Sequence, residues 1–216
     1  MLVEIWSDIV CPWCAVGRAR FYAALREFPH RDEVQVRFRS FELDPHAPAR
    51  RQGSMAEHLS KKYGMTVEEA QRANDHLEEV AALDGVEIHF DRFSAGNTFD
   101  AHRLLHLAHD RGLQIELNEA FLRAVFTDGR ATGDPEVLVE IATGVGLDPA
   151  EVREVLTGDR YAEAVRDDEQ RAAELGISGV PFFLIEGRYG VPGAQPVDRF
   201  GLALEMAWEK VTAADG

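Results

Sequence analysis

The stretch Leu2-Val3-Glu4-Ile5-Trp6-Ser7-Asp8-Ile9-Val10-Cys11-Pro12-Trp13-Cys14 decides how the rest of the chain is read. Residues 2–7 are a short, mostly apolar run of strand formers and predict a buried strand. Beyond Cys14, Phe21, Leu25 and Phe28 recur at i, i+4 and i+7 with Ala24 beside them. That spacing is one face of an amphipathic helix, which Pro29 stops. Pro12 suits the first turn of this helix, because its missing N–H has no intrahelical partner there. Cys11 therefore falls at or just before a helix N-terminus, where the dipole and free amides favour a thiolate. Cys14 sits one turn in, less exposed, placed to attack a mixed disulfide on Cys11.

These are the only two cysteines. A bridge between them closes too small a loop to staple a fold, since the gain grows with loop length. Structural zinc needs about four ligands, and no second pair supplies them. A redox or nucleophilic thiol pair is the reading that accounts for the strand before and the helix after.

The alternation Val-Gln-Val-Arg-Phe over 34–38 predicts a second strand, so the first 41 residues form a β-α-β unit with parallel strands. About a hundred mostly helical residues follow. Thr66-Val67-Glu68-Glu69 is a capping box opening a helix to about Leu83, closed by Gly85. Asn97-Thr98 opens another with Ala101, Leu104, Leu105 and Ala108 inward, and a third carries Leu117, Phe121, Ala124 and Val125. Asp134-Pro135 and Asp148-Pro149 are N-cap and N1 pairs. After a helix near 162–175, Val180-Pro181-Phe182-Phe183-Leu184-Ile185 reads as a turn into a strand. Gly187 turns it back towards Tyr189-Gly190-Val191, and a last helix spans about 197–211. The segment 44–53, with Pro45, Pro48 and Arg50-Arg51, is the expected exposed way into the helical part. The expected fold class is α/β: a thioredoxin-like fold interrupted by an all-helical insertion. The expected division is a discontinuous domain of 1–43 and 157–216, with the insertion at 44–156.

Three stretches carry a resemblance over the whole chain: residues 6–17 around Cys11-Pro12-Trp13-Cys14, Asn97-Thr98-Phe99-Asp100-Ala101-His102-Arg103, and 176–183 with Val191-Pro192-Gly193-Ala194-Gln195-Pro196. In these the sequence resembles the DsbA-family, FrnE-like thiol oxidoreductases. The resemblance implies that Pro181 is a cis-proline facing the dithiol, with the backbone of Val180 open to an extended substrate peptide. Pro12, Trp13 and Asn97 are the other expected substrate-side residues, although for Asn97 a helix cap is the simpler role. Strongly oxidising relatives carry a histidine between their cysteines where this chain has Trp13, so a milder oxidant is expected. Related oxidoreductases often bury an acid six residues before the first cysteine. Here that position is Ile5, and Glu4 and Asp8 are the nearest substitutes.

The expected function is thiol–disulfide exchange on protein or small-molecule thiols, with Cys11 as nucleophile and Cys14 as resolving thiol. No cofactor is expected, glutathione being an allowed co-substrate. One alternative is a glutathione-dependent enzyme of the kappa-class transferase or 2-hydroxychromene-2-carboxylate isomerase type. Those relatives usually carry serine at the Cys11 position. A second alternative is a thioredoxin-fold binding module using the helical insert as its interface.

Composition bounds the partners. In 216 residues, 23 basic and 38 acidic side chains leave a net charge of −15, which disfavours nucleic acid and an anionic membrane surface. No window reaches the roughly 18 apolar residues of a membrane span. The N-terminus has no basic region ahead of its apolar start, so a cytoplasmic protein is expected, with a homodimer allowed. His102, His106 and His109 share a helical face at i, i+4 and i+7, but no carboxylate completes a zinc motif and no metal site is expected. The Asp167-Asp168-Glu169 run reads as a solvated helix face.

Overall fold

A computed structural model describes residues 1–94 and 96–214. The chain runs β1 (Leu2–Ser7), α1 (Pro12–Glu27), a short 3₁₀ turn (Arg31–Glu33), β2 (Gln35–Ser40), then α2 (Met55–Tyr63) and α3 (Val67–Leu83). Next come α4 (Phe99–Asp110), α5 (Gln114–Phe126), α6 (Pro135–Gly144), α7 (Pro149–Thr157) and α8 (Ala162–Glu174). β3 (Phe182–Ile185), β4 (Tyr189–Pro192) and α9 (Val197–Ala214) complete it. The class is mixed α/β with the thioredoxin-like order of elements. Among the described residues no helix is long and apolar enough to cross a membrane.

The sheet has the order β2-β1-β3-β4. β1 runs parallel to β2, with Ile5 opposite Phe38, and antiparallel to β3, with Ile5 opposite Phe183. A strand's period of two gives β1 two different faces. Val3 and Ile5 pack with Phe21, Phe28, Phe183 and Phe200 under α1 and α9, while Trp6 packs with Ala172, Ile177 and Leu184 beside α8. Helix starts follow local chemistry. Thr66 and Glu69 form the capping box of α3, and Asp134 and Asp148 accept amide hydrogens at the starts of α6 and α7. Ser54 and Glu57 form a further capping box on α2, a helix the sequence reading had not placed. Ile9, Ala15 and Val16 belong to the same apolar cluster as α4, α5, α6 and α7, so the helical part is packed directly against the dithiol end of α1.

One sequence expectation is corrected on the α8 face. Asp168 is not solvated: it is 3% exposed, because Val165, Asp168 and Ala172 form the inward stripe of α8. It accepts from Arg39 Nη1 at 2.9 Å and from the Ser40 N–H at 3.0 Å, and it faces His106 Nε2 at 3.2 Å. Its backbone carbonyl accepts the Trp6 indole N–H at 3.0 Å. Glu4 belongs to the same network. It is buried between Arg39 and Arg171, with Arg39 Nε at 2.8 Å and both Arg171 terminal nitrogens at 2.7 Å.

This network supports one prediction. Burial alone would push the Asp168 carboxyl up, but His106, the Ser40 amide and Arg39 outweigh it and hold it below the ordinary aspartate value. A depressed acid adds stability above its unfolded pKa of about 3.9 and loses it as pH falls through the lower folded value. Asp168→Ala strands the Ser40 N–H and His106 and leaves Arg39 to Glu4 alone, so it is expected to cost about 1–3 kcal/mol at neutral pH. Urea titrations of both proteins should show that gap narrowing below about pH 4.

Candidate active site

Cys11 is the N-cap residue of α1, in extended conformation (φ −91°, ψ 111°), with Pro12 opening the helix. Its N–H donates to the Asp8 carbonyl at 3.1 Å, and its own carbonyl accepts the Cys14 N–H at 3.0 Å. The Cys11 thiol donates to the Val180 carbonyl at 3.6 Å, an ordinary length for sulfur, so this sulfur faces the loop before β3. Both cysteines are free thiols and both are buried, Cys14 the more deeply at 2% exposure against 5%. Burial, followed by the contact with the Cys11 sulfur, pushes the Cys14 thiol well above its ordinary value, against the Ser7 hydroxyl and the Asp8 backbone. Cys11 therefore sits at the helix N-terminus, whereas burial favours the neutral thiol of Cys14.

The Val180–Pro181 peptide bond is cis. The Pro181 carbonyl accepts the Gly193 N–H at 2.8 Å, which ties this loop to the turn after β4. Gly17 allows α1 to approach: a Cβ there would stand 2.8 Å from Pro181 Cγ. Ile177, Val180, Pro181, Phe182 and Pro192 line a groove of about 350 Å³ that meets the Cys11 sulfur at Val180. Trp13, 41% exposed, stands between the cysteines in the chain as an apolar surface.

Asn97 spends its side chain on structure. Its carbonyl oxygen accepts the Phe99 N–H at 2.9 Å and its amide donates to the Pro45 carbonyl at 3.2 Å, pinning the 44–49 segment to the start of α4. His102 and His106 turn inward to Asp8 and Asp168, while His109 is exposed. Among the described residues no three His, Cys, Asp or Glu side chains converge as metal ligands. Sequence reasoning missed Ser7, whose buried hydroxyl favours the Cys14 thiolate. Only its place at the end of the strand leading to the cysteines pointed to it.

A dithiol at a helix N-cap, opposed by a cis-proline loop at the end of a β-α-β unit, defines a thioredoxin-like disulfide oxidoreductase. The chain belongs to the DSBA-like thioredoxin domain family, which it matches over residues 2–205. It is 51% identical to a probable DsbA oxidoreductase from Streptomyces coelicolor, with a TM-score of 0.92 over 97% of this chain and 90% of that one. The fold is shared at 21% identity with the cytosolic disulfide reductase DsbM from Pseudomonas aeruginosa, solved with GSH (TM-score 0.68, 97% and 100% covered). It is shared at 15% identity with a 2-hydroxychromene-2-carboxylate isomerase (TM-score 0.67, 100% and 98% covered).

Two outcomes are expected. Iodoacetamide at mildly alkaline pH should label Cys11 and leave Cys14, so Cys11→Ser should remain unlabelled in the folded state; equal labelling of both thiols contradicts the burial argument. Gly17→Ala, although alanine is the better helix former by about 1 kcal/mol, should destabilise the protein by about 1–3 kcal/mol through overlap with Pro181. A raised melting temperature would show that the loop gives way.

Proposed function

We propose that the chain exchanges disulfides with protein or small-molecule thiols through Cys11 as nucleophile and Cys14 as resolving thiol. The observation that carries this reading is the asymmetry of the pair: one sulfur at the helix N-cap facing the Val180 carbonyl, the other sealed behind it. In the reducing direction the Cys11 thiolate attacks a substrate disulfide and one substrate sulfur leaves as thiolate. Cys14 then loses its proton and attacks the Cys11 sulfur, forming the Cys11–Cys14 bond and releasing the second substrate thiol. The oxidising direction is the reverse.

Pro12, Trp13 and Val180 are the substrate-side residues in this reading, an extended peptide pairing with the Val180 backbone in the groove beside Pro181. Glutathione fits as co-substrate, a role supported by the GSH bound to the DsbM relative, and that relative's cytosolic description supports the same compartment here. The FrnE-like subgroup and the division at 44 and 157 belong to the same reading.

Cys14→Ser mixed with oxidised glutathione is expected to accumulate a stable adduct on Cys11, and Cys11→Ser to form none and to lose insulin reduction. If Cys11→Ser instead retains glutathione-dependent turnover, the isomerase or transferase alternative holds. The couple's potential, titrated against a glutathione buffer, is expected below the about −120 mV of a strongly oxidising DsbA.

A further inference from the structure

Behind the dithiol turn lie three ionisable side chains that the exchange reaction, as drawn above, leaves unused. Asp8, Glu42 and His102 come from the β1–α1 turn, the segment after β2 and the first turn of α4, and each is more than nine-tenths buried. Asp8 Oδ1 stands 3.5 Å from His102 Nε2, and Asp8 Oδ2 accepts the Leu43 N–H at 2.8 Å. Glu42 Oε2 is held by Arg166, whose side chain is 49% exposed, so this end of the group opens to the surface. Three buried atoms have no hydrogen-bond partner: both ring nitrogens of His102 and Oε1 of Glu42. Buried polar atoms are nearly always paired, and exceptions call for a reason in function.

The charges around His102 are few. Asp8 faces it from the β1–α1 turn, Glu42 from the segment after β2, and Glu169 from α8 with Arg166 beyond. Asp168 and Arg39 face His106, one turn further along α4. From α5, α6 and α7 the cluster around α4 receives apolar side chains such as Leu117, Leu138 and Val152. Burial pushes the His102 imidazole down, but Asp8, with Glu42 and Glu169 behind it, outweighs burial and raises it. Burial pushes the Glu42 carboxyl up, against Arg166 and His102. An imidazole set between one buried carboxyl group on the dithiol side and another on the surface side is suited to passing protons between them.

We propose that Asp8, His102 and Glu42 form a buried relay that carries the Cys14 proton between the dithiol and the surface at Arg166. The relay rests on the exchange reading above. As Cys14 attacks the mixed disulfide, its S–H bond breaks, the Cys11–Cys14 bond forms, and the substrate sulfur departs with the electron pair of the broken S–S bond. The Cys14 proton leaves past the Ser7–Asp8 turn, whose hydroxyl and backbone favour the Cys14 thiolate, to the Asp8 carboxylate. One ring nitrogen of His102 takes it and the other releases a proton to Glu42, which exchanges with solvent beside Arg166. Reduction of the protein's own disulfide runs the path backwards. None of the three touches substrate, so all are positioning residues for the proton.

The test follows resolution of the Cys11–glutathione adduct, formed with oxidised glutathione on the full chain and quenched in acid, from about pH 5 to about pH 10. Glu42→Gln keeps the side chain's shape and its acceptor for Arg166. It is expected to slow resolution about tenfold or more at neutral pH, with the rate converging on wild type at high pH, where hydroxide replaces the relay. Asp8→Asn should show the same displaced profile. His102→Asn should as well where it folds, and Glu42→Gln decides where it does not. A wild-type profile in Glu42→Gln, or a uniform slowing at every pH, overturns the relay. If no adduct forms on the wild-type chain, the exchange reading falls and takes the relay with it; if the adduct forms and resolves with an unaltered profile, only the relay falls.

Discussion

Asp8 joins the two halves of the molecule at the point where the chemistry sits. Its carbonyl closes the turn that presents Cys11, and its carboxylate accepts the Leu43 N–H and faces His102 on α4. Ile9, the next residue, is fully buried in the cluster built by α4, α5, α6 and α7. The position of the nucleophile therefore depends on the helical part as much as on the sheet. The helices at 55–157 and the Leu43 amide form the back wall of the dithiol turn.

The charge balance has an inside and an outside. A chain with 15 more acids than bases still places Arg39 and Arg171 against the sheet, because Glu4 and Asp168 are buried there. Burying such a group is costly unless every charge is paired, and here the partners come from β1, β2, α4 and α8. The network thus fixes α8 to the sheet in one register, with the Trp6 indole N–H on the Asp168 carbonyl and the Arg171 guanidinium 5.5 Å from the Trp6 ring. Apolar packing in that position would hold α8 less specifically.

What was legible in the sequence was local. The β1 boundary, the Pro12 start of α1, the capping boxes and the Asp-Pro starts of α6 and α7 each depend on residues within four positions of one another. Ser54 and Glu57 carried the same signal for α2 and were hidden by the proline- and arginine-rich run before them. Asp168 was misread because Arg39, which draws it inward, lies 129 positions away, and its acidic neighbours give an acidic run the look of a solvated face. His102 was legible only as an ambiguous histidine. Its meaning comes from Asp8 and Glu42, and nothing in a helix's own periodicity shows what waits opposite.

In the exchange reading, the sheet edges explain why substrate pairing would fall to Val180. An open edge strand is a template for any extended chain, and folded proteins close it off. On β2 the side-chain amide of Gln114 does so: its oxygen accepts the Phe38 N–H and its nitrogen donates to the Phe38 carbonyl, both at 3.0 Å, as a neighbouring strand would. On β4 the strand is four residues long and ends in Pro192, which has no N–H to offer. The Phe182 ring also lies so close over Gly190 that a Cβ there would stand 2.7 Å from it. With Gln114 capping one edge and Pro192 and Phe182 blunting the other, the backbone beside Pro181 is where an extended chain meets both the groove and the Cys11 sulfur. In the exchange reading, strand addition is thereby confined to the place where a disulfide can be attacked.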